Sequence, residues 1–245
     1  MEPNEYAIMF RVEETHWWYV ALHRLVFQAL EMELPDWRER EILDVGCGTG
    51  AILKRLGNPE KNLGIDLAPE AISFCRQRGL NNIRQGDLCD LPCDDASFDA
   101  VICSSVLYHN WVGDIPGALR EMHRVLRPNG ILLINVPAFR FLYSAHDDAV
   151  MTARRFRKAE IRDLLLTQSF KIQRLTYWTT LLFPLAVLAR TLGGSKMGRD
   201  FESKSWSQSF FHAIMSTERR LLRHVSLPFG VALLAVARSG YVFRR

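Results

Sequence analysis

Much of what this sequence lacks is informative. No uncharged run reaches the roughly 20 apolar residues that a membrane-spanning helix needs; the longest, Leu175–Ala189, is interrupted by Pro184. No basic stretch followed by an apolar run stands at the N-terminus, so no signal peptide is expected. The five cysteines (Cys47, Cys75, Cys89, Cys93, Cys103) include no C-x-x-C pair. Their odd number and their placement in apparent core elements predict reduced thiols and a cytoplasmic protein. Cys89 and Cys93 have no ligand-rich stretch beside them, so zinc is not expected. No block of like charge exceeds a few residues, and a net charge of +4 over 245 residues does not by itself call for nucleic acid. A basic stripe with interleaved aromatics is also missing, as are internal repeats and low-complexity segments. What remains is an ordinary globular composition, long enough for one large α/β domain or for a core with a lid.

The chain is organised around Glu41–Gly50, EILDVGCGTG. Ile42, Leu43 and Val45 read as a buried strand. It runs into a turn with glycine at 46, 48 and 50, and a helical pattern opens at Ala51. Glycine lets such a turn take positive φ and lets a ligand approach bare backbone. The helix start offers unpaired N–H groups. The spacing is G-x-G-x-G, not the dinucleotide pattern G-x-G-x-x-G, and Asp44 stands two residues before the first glycine. An acid there repels a pyrophosphate and suits a ligand that carries an ammonium group.

This stretch resembles motif I of the class I S-adenosylmethionine (SAM)-dependent methyltransferases. The resemblance is strong from Glu41 to Ala138 and looser in the flanks. It implies a Rossmann-like, doubly wound α/β fold with a seven-stranded sheet, the last strand inserted antiparallel. An N-terminal helical lid (1–38), a SAM-binding core (39–138) and an acceptor-side part with a helical cap insertion (139–245) follow from the same likeness. The strands expected are the one ending at Val45, Asn62–Ile65, one near Ile83, Ser97–Ser105, Ile131–Val136, Phe170–Thr176 and Val231–Ala237. Helices are expected at Thr15–Leu34, Pro69–Arg78, Asp114–Leu126, Lys158–Gln168 and near Ser209–Arg223, while Met1–Glu14 carries no strong signal.

The resemblance also implies roles. Asp44 and the turn Gly46, Cys47, Gly48 and Gly50 hold the methionine end of SAM. Asp66, after the second strand, accepts the ribose hydroxyls, with Leu67 along the adenosine; the competing reading makes it an N-cap for the helix near Pro69. Asp87 and Leu88 address the adenine. Ser104 lies at the end of the fourth strand, near the methionine part. The aromatic run His16-Trp17-Trp18-Tyr19 is similar to a family stretch that precedes motif I; Trp17 then closes over the cofactor, or else the run merely packs its helix. Leu22 and His23 stand where the family commonly has two arginines, with Arg24 next. No N-P-P-Y or D-P-P-Y motif follows Ser104, which argues against a base-amine methyltransferase acting on DNA.

His109, just past the fourth strand, orients the cofactor or takes a proton, since imidazole titrates near neutrality. The loop Ala138–Asp148 offers a second candidate base, His146, with Asp147 as an acid–base partner; a structural loop and a Mg²⁺ cluster are the other readings, and no metal is expected. Tyr19, Tyr108, Phe139, Tyr143, His146 and Arg154 are the candidate acceptor contacts. The expected activity is methyl transfer from SAM, leaving S-adenosylhomocysteine (SAH), to a hydroxyl or amine of a small molecule, a sugar or a lipid-linked acceptor. A non-catalytic SAM-binding regulator and an NAD(P) oxidoreductase are the alternatives. The expected partners are the acceptor, no nucleic acid, a peripheral membrane or greasy acceptor at the apolar insertion, and either no second copy or one.

Overall fold

The computed structural model describes residues 3–191 and 205–240. Seven strands form one sheet: β1 (Ile42–Val45), β2 (Asn62–Asp66), β3 (Ile83–Gln85), β4 (Phe98–Ser104), β5 (Leu126–Pro137), β6 (Phe170–Trp178) and β7 (Ala232–Ser239). Their spatial order is β3-β2-β1-β4-β5-β7-β6. The first five run parallel, and β7 lies antiparallel between β5 and β6. This is the doubly wound arrangement expected, with a topological switch between β1 and β4.

Strands buried on both faces need apolar residues at successive positions, and β1 and β4 have them. Alternate residues go to opposite faces. On one face Leu43, Val101 and Leu132 meet Leu119 and Met122 of α5 (Ile115–Val125) and Ile161 and Leu165 of α7 (Lys158–Thr167). On the other, Ile42, Ile102 and Leu133 meet Leu25 and Leu30 of α2 (Trp17–Glu33) and Ile52 of α3 (Ala51–Leu56). The helices start where the chain supplies caps. His16 accepts at Nδ1 from Trp18 N at 3.3 Å, Asp114 accepts from Gly117 N at 2.8 Å, and Pro69 opens α4 (Pro69–Gln77).

Residues 3–12, which carried no strong signal, form a helix, α1 (Pro3–Val12). Tyr6, Met9, Phe10 and Glu13 are spaced for one helical face, but the fourth position is an acid, which hides the stripe. Phe10 packs on Phe74 at 5.0 Å between ring centroids and lies under the Arg78 guanidinium at 4.6 Å. Arg78 Nη2 donates to Glu13 Oε1 at 2.6 Å, Arg78 Nε donates to Thr49 O at 2.8 Å, and the Thr49 hydroxyl donates to Glu13. This buried staple ties the end of α1 to the glycine turn.

On the acceptor side come α6 (Ala145–Ala149), α8 (Phe183–Thr191) and α9 (Ser205–Leu221). The helix expected near Ser209–Arg223 is α9, which packs along α2. Gln208 Oε1 accepts from Trp17 N at 3.0 Å, and Glu218 Oε2 accepts from Leu181 N at 2.8 Å. Residues 192–204, within the part expected to hold the helical cap insertion, lie outside the described residues.

Candidate active site

The carboxyl ends of β1, β2 and β4 open into a cavity of about 150 Å³, roofed by α1, the start of α2 and α6. Ligands of open α/β sheets sit at such a crevice. The turn after β1 forms because Gly46 takes φ +70° and packs its bare Cα against Val106, where a Cβ would stand 2.2 Å from Cγ2. Gly46 N and Cys47 N both donate to Ile65 O, at 2.7 and 3.0 Å. Gly48, at φ +55°, is approached by Met9 of α1, whose Cε would lie 2.8 Å from an added Cβ.

Three carboxyl groups gather here. Asp44 is 2% exposed, and its Oδ2 has no hydrogen-bond partner among the described residues. Burial, then the nearby Asp66 and Glu13, push its pKa up to about 8. A buried carboxyl in this state is stabilised by any cation that enters beside it. Asp66 accepts from Gly48 N at 2.8 Å through Oδ2 and from Ala68 N at 3.0 Å through Oδ1, and burial raises its pKa. The residue preceding α4 is Ala68, without a side-chain cap, so Asp66 serves the turn and the ligand crevice together. Glu13, the third, is raised to about 7 by burial, while its bonds to Thr49 and Arg78 oppose the rise.

At the other end the cavity is aromatic. Trp18 and Tyr19 come from α2, and Tyr108 and Trp111 from the loop after β4. His109 stacks on Trp111 at 4.0 Å and 13°, with its Nδ1 buried and without a hydrogen-bond partner among the described residues. Burial lowers the pKa of His109 to about 4, and does the same for His23. His146, on α6, stands exposed at the mouth. Among the described residues, no Lys or Arg lines this cavity.

Of the residues singled out from the sequence, Tyr19, Asp44, Gly46, Cys47, Gly48, Asp66, Leu67, Leu88, Ser104, Tyr108, His109 and His146 share its wall. The others lie off it. Trp17 turns its ring to Phe211, 4.9 Å away across the α2–α9 contact. Gly50 abuts Leu80 and Cys75 behind the turn. Asp87 is exposed and accepts from Cys89 N at 2.8 Å, so Gly86 and Leu88 form the wall there. Phe139 stacks on Tyr177 at 5.0 Å, the Tyr143 hydroxyl donates to Asp148 at 2.7 Å, and Arg154 is exposed. The His146–Asp147 pair does not form. Both Asp147 oxygens are taken by Arg155, at 2.8 and 3.0 Å, and Oδ2 also accepts from Ser144 N at 2.8 Å. Tyr6, Met9, Glu13 and Trp111 line the cavity without having been read from sequence. Only the helical spacing of the first three offered a signal.

Residues 43–134 match the methyltransferase domain family. A Mycolicibacterium smegmatis protein that bears the name probable S-adenosylmethionine-dependent methyltransferase is 31% identical over 175 residues, 69% of this chain and 65% of that protein. A fatty-acid O-methyltransferase of the same organism is 42% identical over 107 residues, 40% of this chain and 37% of that one. The chain thus spans less than two thirds of these relatives. The methyltransferase in a complex with the Haloferax volcanii Trm112 methyltransferase activator superposes with a TM-score of 0.62 at 20% identity, covering 97% of this chain and 95% of the other. Fold and glycine turn define a Rossmann-like ligand-binding protein. More narrowly, residues 43–134 match the methyltransferase domain, and over 175 residues the chain is similar to a probable SAM-dependent methyltransferase, a class whose cofactor is SAM. The unpartnered, buried Asp44 beside the glycine turn fits a cofactor that bears an ammonium group.

Proposed function

We propose that this chain methylates an oxygen of a small, uncharged acceptor: a hydroxyl on a natural product, a sugar or a lipid-linked molecule. The observation that carries this reading is the acceptor end of the cavity, with its aromatic rings, the neutral buried imidazole of His109 and no lysine or arginine lining it among the described residues. Nothing there compensates the charge of a carboxylate or phosphate brought out of water. Asp44 would hold the ammonium group of SAM, Asp66 the ribose hydroxyls, and Gly86 to Leu88 the adenine. SAM supplies an electrophilic methyl carbon, so the protein's work is mostly to position the acceptor oxygen in line with it and to exclude water.

An alcohol must lose its proton as it attacks. His109 is a weak base because burial holds its pKa near 4, so we assign the proton to His146, at the wet rim. His109 then positions the acceptor by packing, its ring held by the stack on Trp111. The test is methyl transfer from radiolabelled SAM to paired alcohol and carboxylic-acid acceptors of equal chain length. Product from the alcohols, reduced about 10²–10⁴-fold in His146→Ala at unchanged SAH affinity, supports the reading. Methyl-ester formation on the acids, or full turnover by His146→Ala, overturns it.

A further inference from the structure

Helix α1 follows the glycine turn step by step. Just beyond the end of α1, Glu13 accepts from the Thr49 hydroxyl and, at 2.6 Å, from Arg78 Nη2. One turn earlier Met9 stands over Gly48, its Cε 2.8 Å from the place of an added Cβ. One turn earlier again comes Tyr6, which lines the cavity together with Cys47, Asp66 and Leu67. Residues three and four apart share a helix face, so the three side chains track the turn from Thr49 back to Cys47. The helix is fastened by other residues. Phe10 packs on Phe74 at 5.0 Å and lies under the Arg78 guanidinium at 4.6 Å.

Within this row Tyr6 alone is left with a polar group to satisfy. It is 4% exposed, yet among the described residues its hydroxyl takes part in no hydrogen bond. A buried phenol usually finds a partner. Burial raises the Tyr6 pKa well above the ordinary value, and Asp66, Glu70 and Cys47 add to the rise. The phenol therefore keeps its proton and is a donor. Asp66, on the facing wall, accepts from Gly48 N at 2.8 Å through Oδ2 and from Ala68 N at 3.0 Å through Oδ1. Each carboxylate oxygen can accept more than one bond, so Asp66 is still an acceptor toward the cavity. A donor on one wall and an acceptor on the other suit a group that takes a hydrogen bond and gives one. A hydroxyl does both, and a ribose carries two side by side.

We propose that Tyr6 is a binding residue for the ribose of the cofactor, its ring covering the sugar from α1 and its hydroxyl donating to a ribose oxygen while Asp66 accepts from the diol. The proposal rests on the reading of SAM as the ligand of this crevice. It adds a contact from outside the segment 43–134 that matches the methyltransferase domain. The nucleoside is then enclosed between the end of β2 and α1, and the staple of Glu13, Arg78 and Thr49 sets the register that puts Tyr6 there.

The measurement is calorimetric titration of the full chain with SAH and with 5′-methylthioadenosine, which keeps the nucleoside and lacks the amino-acid end. We expect Tyr6→Ala to weaken both ligands by the same factor, about 10–100-fold, through loss of the ring surface. Tyr6→Phe keeps the ring and the packing of α1, so its urea midpoint should match the wild type. It should still weaken both ligands by about 3–10-fold, through loss of one hydrogen bond. Asp44→Asn is the contrast, expected to weaken SAH alone. Unchanged affinities in both Tyr6 variants overturn the proposal, and so does Tyr6→Phe binding both ligands as the wild type does. A loss confined to SAH overturns it too, because it moves Tyr6 to the amino-acid end. Wild-type protein that binds neither ligand removes the SAM reading and this assignment with it, whereas wild-type binding with indifferent Tyr6 variants removes the assignment alone.

Discussion

Asp44 concentrates the electrostatics of the site in one side chain. Its pKa of about 8 lies far above the usual aspartate value, because the carboxyl is buried and faces Asp66 and Glu13. In the free protein this group holds a proton that the unfolded chain would release, so its contribution to stability is full below about pH 4 and is lost as pH rises through about 8. Urea titrations of the ligand-free protein should therefore give falling stability across that window, with Asp44→Asn flattening the slope. Cofactor binding should follow the opposite sign. A cationic ligand selects the ionised carboxylate, so SAM affinity should rise up to about tenfold per pH unit below pH 8. In Asp44→Asn, calorimetry should find affinity lower by about 10–100-fold at pH 8 and nearly independent of pH. Equal affinity in wild type and variant would remove Asp44 from the binding of the ammonium group.

At the scale of elements, the glycine turn is held from above by α1 as well as from below by the sheet. Arg78 and Glu13 are almost fully buried against each other, and each also bonds to Thr49. Breaking a buried pair on one side leaves a stranded charge, so Arg78→Met should cost about 3–5 kcal/mol in thermal or urea unfolding, and adding Glu13→Gln should restore part of it. Elements such as β1, β4, β5 and α5 were legible because fully buried strands and a strongly amphipathic helix write their period into composition. The turn Gly46–Gly50 was legible because positive φ demands glycine. In α1 the residue that completes the stripe is Glu13, whose role as an internal salt-bridge partner has no signature in a single sequence. Asp87 and Trp17 show the same boundary at the site: their residue types and positions suit a cofactor contact, yet a local turn bond to Cys89 and a ring contact with the sequence-distant Phe211 use them otherwise. The His146–Asp147 pairing failed for a related reason, since Arg155 lies eight residues on and captures both oxygens.

Across the whole molecule, the sheet divides labour. The β1–β4 switch opens the cavity, and the antiparallel return of β7 between β5 and β6 leaves the opposite flank to α8 and α9. The aromatic roof joins the two halves. Trp18 and Trp111 both line the cavity, and Trp18 lies 5.8 Å from Trp178, whose Nε1 donates to Asn135 at 2.8 Å in the sheet. Two of six indoles thus stand where the ligand enters and a third is coupled to them, so intrinsic emission should be quenched and blue-shifted as the crevice fills. The protein carries its own optical reporter, and acceptor libraries can be screened by fluorescence before any product is known.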